Sequence, residues 1–127
     1  MPLVKIALRS GKPTEFVRSV SRSVHRAMVE TINVPEADEF QIITENSAAE
    51  LVYHPTFLGI QRTDDIVIVQ IYLGVGRTIE QKQTLYARMV EVLKDDPGIA
   101  PADVFINLVE TPIENWSLGN GLTTFVR

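Results

Sequence analysis

Twice along this chain an apolar strand pattern is followed by a helical pattern and then by a second strand. Leu3–Leu8 reads as a strand, Ser10-Gly11-Lys12 as a turn, and Pro13 suits the first turn of a helix. Phe16, Val17, Val20, Val24, Met28 and Ile32 then recur at helical spacing to about Asn33. After Val34-Pro35 a second strand is expected at Phe40–Thr44. The order then repeats: a strand at Ile66–Leu73, a turn at Gly74-Val75-Gly76, and a helix opened by Thr78-Ile79-Glu80-Gln81, which has the form of a capping box. Leu85, Met89 and Leu93 give this helix its apolar stripe, Pro97-Gly98 stops it, and Phe105–Val109 closes the unit.

Local sequence supports the repeat. Met28-Val29-Glu30 returns as Met89-Val90-Glu91, and Asp38 with Phe40 and Glu45 returns as Asp103 with Phe105 and Glu110. Each Asp follows a proline, Pro35 or Pro101. The expected architecture is α+β in two layers: two β-α-β repeats, about residues 2–45 and 66–110, forming a four-stranded mixed sheet with two helices on one face. All of residues 1–127 are expected to form one domain. Asn46–Arg62 reads as short extended pieces and turns. The tail from Thr111 reads as loop, with a hairpin-type turn signal at Gly119-Asn120-Gly121 before Leu122–Val126.

Two of these strands bear on assembly. Ile66-Val67-Ile68-Val69 and Val104-Phe105-Ile106 are apolar at both parities, as in strands buried on both faces. Two helices cover only one face of a four-stranded sheet. Further copies of the chain are the simplest cover for the other, ahead of the Asn46–Arg62 loop and the tail.

Composition excludes several functions. The chain has no Cys, which removes disulfides, thiolate nucleophiles and Cys-based zinc sites. His25 and His54 are the only histidines, so no metal site is expected. A net charge of −4 argues against nucleic acid. No apolar run approaches the ~20 residues of a membrane span. No signal sequence is read before the first strand, and the expectation is a soluble, cytoplasmic protein that engages no membrane.

The chemistry begins at Met1-Pro2. Removal of Met1 would free a secondary amine at the end of a core strand. Such an amine can cycle between base and ammonium, and it can condense with a carbonyl. A nitrogen still acylated by Met1 has no basic lone pair. A carboxylate near the amine favours the ammonium form, whereas burial and nearby cations favour the free amine.

The chain resembles the tautomerase superfamily, and within it the malonate semialdehyde decarboxylase group. The resemblance is carried by an ordered set of stretches: Met1-Pro2-Leu3, Ala27-Met28-Val29, Val34-Pro35 with Asp38, Glu50-Leu51-Val52, Leu58-Gly59 with Arg62, Arg77 with Glu80-Gln81-Lys82, Ile99 with Pro101 and Asp103, Leu108-Val109-Glu110, and Trp116-Ser117 with Gly119 and Gly121. It implies a tautomerase-like fold, a homotrimer, no cofactor, and a pocket at the subunit edge that holds the amino-terminal proline. Pro2 matches the catalytic proline, Asp38 its acidic partner, and Arg77 one of two arginines that hold a substrate carboxylate. Val75 stands in the place of the other arginine, and Arg62 is the candidate for the missing charge. Trp116 is a candidate pocket wall.

With Asp38 beside it, Pro2 would be an ammonium that polarises a carbonyl, or Asp38 itself would activate a water. Arg77 would orient an anionic substrate. The implied substrate is a small oxo or enol carboxylic acid, tautomerised, hydrated or decarboxylated. The alternative is a trimer that kept the fold and binds ligand without catalysis. The bland readings are a turn role for Asp38, a solvated loop cation at Arg77, a packing role for Trp116, a surface or boundary position for His25, and a solvated basic stripe of Arg18, Arg22 and Arg26 paired with Glu15 and Glu30.

Overall fold

The computed structural model describes residues 1–126. Its elements are β1 (Leu3–Arg9), α1 (Thr14–Ile32), β2 (Gln41–Asn46), β3 (Val67–Gly74), α2 (Ile79–Asp95) and β4 (Val104–Thr111), with single 3-10 turns at Phe57–Gly59, Pro101–Asp103 and Ile113–Asn115. The strands form one sheet in the order β2-β1-β3-β4. The β1–β2 and β3–β4 pairs are parallel, and β1 and β3 meet antiparallel at the centre. This is the expected α+β, two-layer architecture.

Local chemistry explains the boundaries. Pro13 precedes α1 as its N-cap, one residue outside the helix instead of within it. Asn33 ends α1 in the left-handed region, at φ +59°, and its N–H returns to the Met28 carbonyl. The Thr78–Gln81 capping box is complete at the start of α2. At the other end, Gly98 (φ +106°) lets its own N–H and that of Ile99 close back on the Leu93 carbonyl. The second strand begins one residue later than the spacing suggests and runs on to Asn46, whose N–H and C=O still find ladder partners on β1 and Ser10.

One face of the sheet is the core. Val4, Ile6 and Leu8 of β1 and Val67, Val69, Ile71 and Leu73 of β3 are all buried. They pack under Val20, Val24, Ala27 and Met28 of α1 and Leu85, Met89 and Leu93 of α2. The two helices are tied to each other by Ser23, whose hydroxyl donates to the Asp96 carbonyl at 2.6 Å, and by Arg88, which donates to Glu30 at 2.6 Å. The α1 arginines form the ion pairs expected of a solvated stripe, Arg18 and Arg22 with Glu15 and Arg26 with Glu30.

The opposite face stays open. Register aligns Thr44, Ala7, Ile68 and Phe105 in one row across it, and Ile42, Lys5, Gln70 and Asn107 in the next. Phe105 and Ile42 are each 49 % exposed. Neither the Asn46–Arg62 loop nor the tail covers them. The tail turns at Gly119–Leu122 and returns through a Thr124 N–H to Trp116 carbonyl bond, but forms no strand among the described residues. His25, expected at the surface or boundary, lies on the buried side of that boundary: it is 8 % exposed, with Nε2 2.7 Å from the Glu36 carbonyl.

The Glu30 cluster carries an acid-stability prediction. Hydrogen bonds from Arg88, then from Arg26, lower the Glu30 carboxyl from 4.5 to about 2. A carboxylate held low adds stability above its ordinary value, and that contribution disappears as pH falls through the folded value. The melting temperature of the native chain should therefore fall more steeply than that of Glu30→Gln between pH 4.5 and about 2, with the two curves converging at the acid end. Parallel melting curves would show that solvent screening cancels the interaction.

Candidate active site

Topology gathers one end of the sheet into a site. Because β1 and β2 run parallel, with Val4 opposite Gln41, the residues leading into each strand lie side by side. Those are Met1-Pro2 and the Asp38–Phe40 segment. Because β3 runs antiparallel to β1, with Leu3 opposite Tyr72, the end of β3 arrives at the same place. Parallel pairing of β4 with β3 brings Thr111 and the following turn there as well. Strand starts and strand ends thus meet at one rim.

Asp38 is held there by a turn. Its N–H donates to the Pro35 carbonyl at 3.0 Å, and the Phe40 carbonyl accepts from Val4 N–H at 3.0 Å, which locks the loop to β1. The Asp38 Oδ2 lies 2.7 Å from the Met1 α-amine, the first residue's nitrogen. Both groups are over four-fifths buried. Asp38 Oδ1 is buried without a partner. Pro2 itself is buried.

A cavity of about 420 Å³ opens beside these residues, lined by Met1, Pro2, Leu3, Phe40, Asn115, Trp116, Ser117 and Leu118. Trp116 is fixed by its indole N–H, which donates to the Thr111 hydroxyl at 2.7 Å. The wall is therefore mostly apolar, with one amine–carboxylate pair at its edge, a composition suited to a small organic ligand.

Arg77 is half-buried and not a solvated cation. Its guanidinium donates to the Gly74 carbonyl at 3.3 Å and to the Ile32 carbonyl at 3.2 Å, at the C-terminal end of α1. Its Nε is buried without a partner. Nearby, Lys82 lies 2.6 Å from Glu110 and is the main reason the Glu110 carboxyl is held low, with Gly76 N–H and the Arg77 charge adding to it.

Family models described as tautomerase enzyme match residues 2–60 and residues 38–119. The probable tautomerase YusQ of Bacillus subtilis (strain 168) is 40 % identical over 121 residues, covering 95 % of each chain. The chain belongs to the tautomerase family. Among solved structures, the FG41 malonate semialdehyde decarboxylase inhibited by 3-bromopropiolate is 36 % identical, with a TM-score of 0.91 over 97 % of this chain and 93 % of that one. A second malonate semialdehyde decarboxylase, studied for decarboxylase and hydratase activities, is 32 % identical with a TM-score of 0.91, over 97 % and 95 %. This tautomerase-family enzyme is thus structurally close to malonate semialdehyde decarboxylase. The family assignment favours an enzyme over a fold kept for binding alone.

Of the residues singled out in the sequence, Pro2 and Trp116 line the cavity, and Asp38 adjoins it through the Met1 amine. Arg77 lies behind the rim on the Gly74 carbonyl. Val75 is 61 % exposed on the turn and does not line the cavity. Arg62 is the correction. It precedes β3, whose first residue Val67 pairs with Leu8 at the opposite end of β1. Its guanidinium is turned onto the Phe57 carbonyl at 3.0 Å and closes its own loop. Within one chain it supplies no charge to this cavity. Sequence reasoning missed Phe40, Asn115, Ser117 and Leu118, which are ordinary residues in sequence and become a wall only through sheet register.

Proposed function

We propose that this tautomerase-family enzyme works through Pro2 once Met1 has been removed, acting on a small oxo or enol carboxylic acid. Decarboxylation of a β-oxo acid such as malonate semialdehyde is the principal reaction, and tautomerisation of enol acids a weaker companion. The observation that carries this reading is the 2.7 Å contact between the terminal amine and Asp38 beside the cavity. With Met1 gone, the terminal amine is Pro2's own. Asp38 is proposed as its acidic partner, favouring the ammonium form.

The step follows from that charge. The Pro2 ammonium hydrogen-bonds the substrate's carbonyl oxygen. The bond between the α-carbon and the carboxylate breaks, carbon dioxide leaves, and the electron pair moves into the carbonyl to give an enolate. Hydrogen bonding to that oxygen lowers the barrier because negative charge develops there. The enolate takes a proton at carbon and leaves as the aldehyde. Arg77 is proposed to steer the substrate carboxylate through its charge from behind the rim, where its guanidinium holds the Gly74 and Ile32 carbonyls. No metal or organic cofactor enters this scheme.

The same reading includes a homotrimer. Its support is the open sheet face, where the row Thr44, Ala7, Ile68 and Phe105 needs a cover that one chain does not provide.

The test of the amine is covalent. Processed protein treated with 3-bromopyruvate should lose activity with one adduct, mapped by mass spectrometry to Pro2. Protein that retains Met1 should be inert to the reagent at that position. An adduct confined to Lys5 or Lys12 would remove the basis of the mechanism.

A further inference from the structure

Gly74 is the last residue of β3, opposite Thr111 in the ladder. Its φ is not positive, unlike that of the chain's other six glycines, so its backbone does not demand glycine. Glycine within a strand weakens it, and commonly marks a place where something must approach the backbone closely. Here the approaching group is the Met1 side chain. A Cβ on residue 74 would stand 2.6 Å from the Met1 Cε, 3.3 Å from its Sδ and 3.6 Å from Ile113 Cγ2. Met1 therefore runs from its amine on Asp38 to a methyl group that occupies the space a side chain on residue 74 would take, with Ile113 beside the same space. The other side of Gly74 is its carbonyl, which Arg77 holds.

Met1 is an acyl substituent on the Pro2 nitrogen. Whatever that nitrogen engages after processing leaves it in much the same direction and meets the same walls. We infer that the Met1 side chain marks the substrate's place, and that Gly74 and Ile113 set the length of acid the enzyme accepts. This inference rests on the Pro2 reading above. Gly74 is then a specificity-determining residue: the absence of a side chain admits the far end of a substrate toward the Arg77 side of the rim. Acids one methylene too long for the slot are rejected by the opposite wall.

The test uses processed protein and two reagents that alkylate Pro2, 3-bromopyruvate and its longer homologue 4-bromo-2-oxobutanoate. The quantity read is the ratio of labelling rates, long over short. In Gly74→Ala a methyl group fills the slot, and the ratio should fall about tenfold, the discrimination one methylene gives in an apolar pocket. Its melting temperature should not drop, because with Met1 absent both tight contacts are gone and Ile113 Cγ2, at 3.6 Å, is at ordinary contact distance. Ile113→Ala widens the same slot and should raise the ratio, which keeps the proposal testable even if the alanine at residue 74 perturbs folding. A ratio unchanged in both variants overturns the inference, while Pro2 labelling itself still stands. Absence of any Pro2 label in the unsubstituted processed protein overturns the catalytic reading and this inference with it.

Discussion

Asp38→Asn in processed protein should abolish most decarboxylation, with kcat/KM falling by about 10²–10⁴ as expected for loss of a group that sets protonation in the transition state. Asparagine keeps the shape, the turn bond from residue 38 to the Pro35 carbonyl, and one acceptor oxygen. It loses the carboxylate charge proposed to act on the Pro2 amine once Met1 is gone. The melting temperature should therefore change little while turnover collapses. The companion substitution Val75→Arg tests reach: valine does not line the cavity, but an arginine extended from that turn into it should move kcat/KM the other way. A charge-assisted hydrogen bond is worth ~1.5–3 kcal/mol, or roughly tenfold to a hundredfold. Steady-state assays with malonate semialdehyde, paired with melting curves, decide the matter. An Asp38→Asn enzyme of unchanged activity would reduce Asp38 to a turn residue and remove the proposed mechanism.

A charge placed at the centre of the open sheet face should dissolve the assembly. Phe105→Asp is the most direct choice. Phe105 sits in a row with Ile68 and Ala7, is 49 % exposed in one chain, and points away from the helices. In a trimer that face would be buried in every copy, so the substitution introduces an unpaired carboxylate into each. An uncompensated buried charge costs about 3–5 kcal/mol. The core on the helix side is untouched, so each chain should stay folded. Sedimentation equilibrium should show a trimer for the native protein and a monomer for Phe105→Asp at the same micromolar concentration. A native protein that sediments as a monomer would mean the open face is solvated, and the trimer would be withdrawn.

Much of the fold was legible because local physics writes it. The Thr78–Gln81 box, the Asn33 and Gly98 helix stops and the apolar stripes act over one or two turns, and sequence spacing reports them directly. The same holds for the basic stripe of α1, where partners lie within a few residues. The paired aspartates show where this stops. Sequence aligns Asp38 with Asp103, yet their tasks differ. Asp103 is 2 % exposed and accepts from the Thr63 N–H at 2.7 Å and its hydroxyl at 2.6 Å, which fixes the entry to β3. Asp38 instead turns its Oδ2 onto the Met1 amine at 2.7 Å.

The sequence by itself determined the two strand–helix–strand units, the presence of Pro2 at a strand start and the candidacy of Asp38 and Trp116. Tertiary structure alone decided which residues share a cavity. The antiparallel meeting of β1 and β3 sends Arg62 to the far end of the sheet and brings Gly74 and Ile113 against Met1. These pairings join residues dozens of positions apart, and no periodicity within either segment encodes the other. Strand register, set by burial of one sheet face under two helices, converts scattered ordinary residues into the walls of a site.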